Sequence, residues 1–386
     1  MEPLEKFLID AKTAWEKFKK SGPTEVGLVF HDDADGISSA AIVFSFLEKE
    51  GYNARLICLE KLYREVVTKL HERFTHVIYC DLGSPHLEEI TKVAPRDGLT
   101  LVLDHHDPLG TSTEYVLDLN LERYGYRGES DFSGSICSLL FAISNDPSFW
   151  RLGPIALVGA AELPKKSKIC DFVLSELRRR KLVGKKIEWM GFTIPRLFSL
   201  LQVLGSVGYY VGGPEAGISL CLKGDEKAVG LAEELEVKRK LANRELLSYL
   251  RSGGMEETEH IQYFEDPGYF NEMGSKVIGT FCSYLSYQKF VAPMKYIFGF
   301  MRTKRMIPNF GLLDRDYVKV SARAPSRLKK LIENSTTLSC VELLREAIIE
   351  DEVADGHEFA ASAAIIRSPR EFVESCEKVL EKSKRK

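Results

Sequence analysis

Short, nearly unbroken apolar runs alternate with amphipathic stretches along the first half of the chain. The runs "EVGLVF" (25–30), "NARLIC" (53–58), "THVIYCD" (75–81), "LTLVLD" (99–104) and "EYVLDLN" (114–120) read as strands. The stretches 37–50, 60–73 and 85–93 carry apolar residues at helical spacing, and Gly51 is placed to end the first of them. Buried strands separated by helices predict an α/β fold with a parallel, doubly wound sheet. In such a sheet, ligands bind beyond the carboxyl ends of the strands.

The pattern then changes twice. From "FSGSICSLLFAIS" (132–144) onward it is mostly helical, through a Gly-rich stretch at 204–220 and a long charged, amphipathic stretch at 225–251. Strand-like runs return with "HIQYFED" (260–266), "MKYIFGFMR" (294–302) and "YVKVSARA" (317–324), and helices follow at 338–349 and 369–384. The expected organisation is an N-terminal sheet domain (1–165), a helical connector (166–255) and a smaller C-terminal α/β domain (256–386). The sequence "GGPEAG" (212–217) reads as a turn, because it lacks the Lys-Ser/Thr of a phosphate loop.

Polar clusters recur where the first-half strands end. The first is "HDDADG", with His31, Asp33, Asp35 and Gly36; the second is Asp81 in "YCDLGSP"; the third is "DHHD", Asp104 to Asp107. Acids and imidazoles packed this densely repel one another and resist burial. Each cluster taken alone has a local explanation: Asp33 or Asp35 as a helix cap, Asp104 as the start of a turn. Three clusters at three strand ends of one parallel sheet converge on one edge instead. Their mixed oxygen and nitrogen donors suit Mn²⁺ or Mg²⁺, and two ions sharing a carboxylate are suited to phosphoryl chemistry.

Composition narrows the reading. The formal net charge of −3 over 386 residues excludes a polycation that coats nucleic acid, so any polyanion must be held locally by metal or by a few cations. Eight scattered cysteines without a C-x-x-C pair read as reduced core thiols of a cytoplasmic protein. The amphipathic N-terminus is no signal peptide, and no apolar run approaches a membrane span, so no membrane partner is expected.

In order, "HDDADG", Asp81 and "DHH" (104–106) resemble motifs I to III of the DHH phosphoesterase superfamily, and within it the RecJ-like single-strand exonucleases of archaeal type. The segment "DGHEFAASA" (355–363) resembles the glycine- and histidine-bearing signature of the DHH-associated C-terminal domain. The resemblance implies a nuclease of DNA replication or repair that uses two Mn²⁺ ions, or Mg²⁺, on single-stranded DNA or RNA. One ion would be held by His31, Asp33 and Asp81 and the other by Asp35, Asp81 and His105. It also implies that His106 contacts the scissile phosphate, that Asp104 orients the histidines, and that Arg323, Gly356 and His357 hold substrate. Hydrolases of short oligonucleotides or cyclic dinucleotides share the architecture. So do weakly active partner proteins that associate with a helicase or another replisome component.

Two departures from the family pattern stand out. Where a fourth-motif aspartate is usual, "VGAAELP" offers Glu162, either as a metal ligand or as a surface glutamate ending a helix. Asp355 and Ser362 replace the first and last glycines of the C-terminal signature, and Asp355 puts negative charge where phosphate should pass. Weaker signals are the basic runs 176–189, 301–306 and the tail "EKSKRK", and the aromatics Tyr209, Tyr210, Phe281 and Tyr284, read as core or as base-stacking groups. His71, His76 and His86 read as packing or surface residues.

Overall fold

The computed structural model describes residues 2–128, 130–164 and 166–383. The last three residues of the basic tail therefore lie outside the described residues. The chain divides into two compact units, residues 1–233 with 308–310, and residues 234–307 with 311–386.

Unit 1 opens with α1 (Pro3–Lys20) and continues as β1 (Glu25–His31), α2 (Ala34–Lys49), β2 (Asn53–Leu59), α3 (Arg64–Arg73), β3 (His76–Cys80), α4 (Leu87–Val93), β4 (Leu99–Leu103) and β5 (Val116–Asp118). Helices α5 (Gly134–Asn145), α6 (Gly153–Gly159), α7 (Lys168–Arg179), α8 (Ile194–Gln202) and α9 (Gly213–Lys223) follow. Helix α10 (Glu226–Tyr249) contains the division between the units. The five strands form one parallel sheet in the order β2-β1-β3-β4-β5. As the runs of Val, Leu and Ile predict, strands β3 and β4 are buried at every position. Helix α2, buried along most of its length, packs against α5, α6 and α9.

That strand order positions the chemistry. From β1 the chain crosses to β2 on one side, then returns to β3 on the other, so the direction of winding reverses between β1 and β3. Adjacent connections diverge there and leave a crevice at the carboxyl ends of the two strands. His31 closes β1 and Asp81 directly follows β3.

Unit 2 contains β6 (Glu256–Glu257), β7 (Ile261–Glu265), α11 (Lys276–Leu285), β8 (Tyr296–Arg302), β9 (Met306–Ile307), β10 (Gly311–Leu312), β11 (Val318–Arg323), α12 (Ser326–Glu333), α13 (Cys340–Ala347), β12 (Val353–Gly356), β13 (Ala360–Ile365) and α14 (Pro369–Ser383). Its main sheet has the order β12-β13-β11-β8-β7-β6, with only β7 and β8 paired in parallel. Phe298, Phe300, Val320, Ile365 and Phe372 lie at its core.

The parallel sheet and the second α/β unit agree with the sequence-based expectation. Helix α2 starts at Ala34, three residues earlier than its apolar spacing indicates, because Asp33 caps it. "GGPEAG" opens α9: Gly212 is left-handed (φ +76°) and Pro214 lies in the first turn. Among the described residues no helix is long and apolar enough to cross a membrane.

Candidate metal centre

Strand β1 delivers His31 at its last position, and the chain turns at once into α2. Asp33 accepts a hydrogen bond from the Gly36 amide at 2.9 Å, which satisfies one of the helix's free N–H groups. Glycine is required at 36, since a Cβ would sit 2.3 Å from the His31 carbonyl oxygen. Capping does not use all of Asp33: its Oδ2 lies 2.9 Å from His31 Nδ1. The same nitrogen is 3.6 Å from Asp81 Oδ2. Donor atoms of His31, Asp33 and Asp81 thus lie within 4.8 Å of one another.

Asp81 is the centre of the arrangement. It adopts a left-handed backbone (φ +62°), which costs energy in a non-glycine residue and tends to occur at functional positions. Its amide is held by the Leu103 carbonyl at 2.8 Å, and α5 approaches so closely that a Cβ on Gly134 would lie 2.4 Å from Asp81 Oδ1. His105, just past β4, places Nε2 3.2 Å from Asp81 Oδ1 and 3.7 Å from Asp35 Oδ2. One buried carboxylate therefore faces the imidazole of β1 with one oxygen and the imidazole after β4 with the other.

Asp35 and Asp104 are held by backbone amides. Asp35 receives the Ser133 hydroxyl (3.0 Å) and the Gly134 and Ser135 amides (2.9 Å each) at the N-terminus of α5, where the helix dipole favours an anion. This grip was missed by the sequence reading; its signal is the small, polar "SGS" that opens an apolar helix. Asp104, fully buried, accepts from the amides of Ser84 (2.9 Å), His105 (2.7 Å) and His106 (3.3 Å), and pairs with His106 Nδ1 at 2.7 Å. With Nδ1 engaged, Nε2 is the nitrogen His106 has left for a ligand.

The charges are out of balance. Burial and the Asp81 charge push the Asp35 carboxyl up to about 7. Burial opposes a charge on His105, yet Asp81 and Asp35 outweigh it and hold the ring's pKa up at about 10. Burial likewise opposes a charge on His106, but Asp104 raises it; Asp104, in spite of its burial, is pulled well below the usual carboxylate range by His106. Among acids this dense, protons gather on the imidazoles because nothing else positive is at hand. A divalent cation competes for the same donors and relieves the same repulsion. His105 Nδ1 is buried without a hydrogen-bond partner, and Asp81 Oδ1 has none beyond its ion pair. The donor chemistry and these atoms fit Mn²⁺ or Mg²⁺.

Other expected residues fall elsewhere. Asp32 is 1% exposed and its Oδ1 lies 3.4 Å from His31 Nε2, the ring nitrogen opposite the one that faces Asp33 and Asp81. Its backbone is pinned by Gly205, where a Cβ would come 1.9 Å from the Asp32 carbonyl oxygen. Glu162 is exposed at the end of a short 3₁₀ turn and belongs to neither group of clustered donors. The basic run after α7 is a helix end in which Arg179 and Arg180 pair with Glu176 and Arg180 lies over the Trp150 ring. Tyr209 and Phe281 are core residues, whereas Tyr284 is exposed.

In unit 2, Arg323 ends β11 half-buried; its Nε donates to Ser283 on α11 at 2.8 Å and its Nη1 to the carbonyls of Ala322 and Ala361. Gly356 (φ +126°) begins the turn from β12 to β13, where a Cβ would meet Ala361 Cα at 2.5 Å, and His357 is exposed at that turn. Asp355 and Ser362 face each other across the hairpin. Ser362 Oγ donates to Asp355 at 2.8 Å and accepts from Lys319 at 3.1 Å. The two departures from the signature partner one another, and Lys319 offsets the acid.

Comparison with known proteins places this geometry. Residues 25–158 match the DHH family, N-terminal domain. An uncharacterized protein of Methanocaldococcus jannaschii is 27% identical over 141 residues, 35% of this chain and 32% of that protein. Among solved structures, RecJ of Thermus thermophilus in complex with Mn²⁺ is similar over 99% of this chain and 55% of its own, with a TM-score of 0.65 and 18% identity. Exonuclease RecJ bound to manganese is similar over 98% of this chain and 94% of its own, with a TM-score of 0.63 and 18% identity. CDC45 of Entamoeba histolytica covers 98% and 99% at a TM-score of 0.55 and 9% identity. The chain thus spans about a third of the curated relative and about half of the T. thermophilus chain.

Proposed function

This chain carries a DHH family N-terminal domain on a RecJ-like fold, and from that premise we propose that it is a metal-dependent phosphodiesterase acting on single-stranded DNA or RNA. The observation that carries the reading is Asp81, a buried carboxylate at the β1/β3 crevice with one oxygen toward His31 and the other toward His105. His31, Asp33 and Asp81 would hold one ion and Asp35, Asp81 and His105 a second, with Mn²⁺ or Mg²⁺ as the metal. When bound, the metal supplies charge stabilisation at phosphorus and an activated water.

The residues of the chain do the rest. Asp104 locks the tautomer of His106 through Nδ1, leaving Nε2 to donate to a phosphate oxygen. The α5 amides keep Asp35 aimed while it exchanges a proton for a cation. In this reading residues 1–165 supply the cleavage site, 166–255 connect, and 256–386 hold substrate through Arg323, Gly356 and His357. Arg323 Nη2 makes no hydrogen bond among the described residues and supports a phosphate-binding role.

Incubation with 5′- and 3′-labelled single-stranded DNA and RNA in Mn²⁺ tests the proposal. The wild type should release short products and Asp81→Ala should not; undiminished hydrolysis by Asp81→Ala overturns the shared-carboxylate assignment. A length series ending in dinucleotides and a cyclic dinucleotide separates exonuclease from short-substrate hydrolase, because only the latter slows as substrate lengthens. A second reading, a replication or repair partner of the same fold with little cleavage, is favoured by the likeness to CDC45 and by Glu162 lying outside the clustered donors. Absence of both Mn²⁺ binding and hydrolysis in the wild type would select it.

A further inference from the structure

Between Met273 and Leu313 the chain contains no Asp or Glu, yet it carries Lys276, Lys289, Lys295, Arg302, Lys304 and Arg305. In a molecule of net charge −3 this is a locally electropositive segment. Part of that charge is spent: Lys295, Arg302 and Lys304 pair with Glu257, Glu265 and Glu272. Lys289 is exposed and forms no ion pair among the described residues.

The same segment exposes aromatic rings. At the end of α11 and in the loop after it, Tyr284 is 48% exposed, Tyr287 81% and Phe290 39%. Three large rings exposed so close together in the sequence offer faces on which a planar ligand can stack. Two of them are also braced, and the backbone of the third is tied to the first. Tyr284 leans on buried Phe281, ring centroids 6.4 Å apart, and the Tyr287 amide bonds the Tyr284 carbonyl at 3.3 Å. Phe290 lies under the Arg251 guanidinium at 5.7 Å, and Arg251 in turn bonds Gln288 at 3.1 Å. Tyr284 and Phe290, already held in place, lose little entropy on stacking.

Arg323 packs against the same helix. Its Nε bonds Ser283, the residue before Tyr284, and its Nη2 is 3.0 Å from where a Cβ on Gly279 would be. Arg323, the proposed phosphate cation, thus bonds the helix that carries Tyr284, and Tyr287 and Phe290 follow that helix. Rings interleaved with cations in a stretch of sequence without acids match the chemistry of unpaired nucleobases on a phosphate backbone. We infer that Tyr284, Tyr287 and Phe290 form a base-stacking platform for a single-stranded polynucleotide, with Lys289 and Arg251 serving its phosphates. The inference rests on the nuclease reading for its substrate class, and its test does not depend on cleavage.

The test is binding of fluorescein-labelled dT20 in EDTA, followed by anisotropy, with hydrolysis in Mn²⁺ measured separately. Stacking predicts that Tyr284→Ala and Tyr287→Ala each weaken binding by about fivefold or more, while Tyr284→Phe and Tyr287→Phe stay within about twofold. Lys289→Ala should reduce the salt slope by about 0.7 if it meets one phosphate. Circular dichroism checks that the variants are folded, as expected for exposed positions. Wild-type affinity in both alanine variants, or no dT20 binding by the wild type, overturns the platform. So does loss of self-association on removing the rings, which would assign the patch to a second copy. Binding that needs the rings in a protein that does not cleave with Mn²⁺ upholds the platform and removes the nuclease reading.

Discussion

The two units carry their polar chemistry in opposite ways. In unit 1, Asp81 and Asp104 are almost wholly buried at the ends of parallel strands, and Asp35 is held beside them by backbone amides. In unit 2, Asp355, Gly356 and His357 are exposed along a hairpin, and Tyr284 and Tyr287 stand in solvent. Burial strengthens electrostatics and makes uncompensated charge expensive, so the first arrangement calls for a cation. Exposed rings and edge charges cost little to maintain and suit a long substrate met piece by piece. The comparison teaches that, on the proposed function, cleavage chemistry and substrate grip would differ by degree of burial.

Removing the shared acid should break this contrast most sharply. Asp81→Ala is expected to lower hydrolysis at least about a thousandfold. It should also abolish the Mn²⁺-induced rise in melting temperature. A rise that persists in the variant would remove Asp81 from the metal-holding residues.

Histidines sharpen the point within unit 1. His105 is buried among acids and its pKa is raised, whereas His71 is buried against the Tyr79 hydroxyl at 3.1 Å and burial lowers its pKa to about 4. The folded-state value lies below the ordinary value of 6.5, so the unfolded chain binds more protons between these limits. Stability is therefore full above about pH 6.5 and falls toward pH 4, by about 3 kcal/mol in all. Urea titrations across that range should lose this slope in His71→Gln. An unchanged slope would assign the acid limb to other groups.

Smaller effects belong to unit 2. Arg323→Ala should raise the KM for single-stranded oligonucleotides about tenfold, with kcat less affected, as expected for a lost charge-assisted phosphate contact. A fall in kcat at unchanged KM would place Arg323 in the chemical step. Smallest of all, Asp355→Gly should tighten dT20 binding by about twofold to fivefold by removing one exposed negative charge. Weaker binding would show that the Ser362–Asp355 pair shapes the turn that substrate uses.

Much of this was legible in the sequence, and what was missed shares a cause. Apolar runs located all five strands of unit 1 within a few residues, most clearly β3 and β4, because a strand buried on both faces must be apolar throughout. "DGHEFAASA" was read as a signature, not as the hairpin β12–β13, since its small residues carry little strand propensity and pair only because β11 lies alongside. Helix α11 went unassigned because its only charged residue, Lys276, opens it, leaving no polar stripe to show its period.

By itself the sequence determined the five strands of unit 1, most of the helices around them, which residues can bind a cation, and the order of the motifs. Those are local properties of burial, propensity and donor type. Only the tertiary structure decided that His31, Asp81 and His105 meet, because the order β2-β1-β3-β4-β5 is a choice of strand neighbours that no local stretch encodes. It alone decided that α5 grips Asp35, about a hundred residues away, and that Ser362 answers Asp355 across a hairpin. Long-range pairing sets such contacts, and the energy behind them is the burial of the surrounding core.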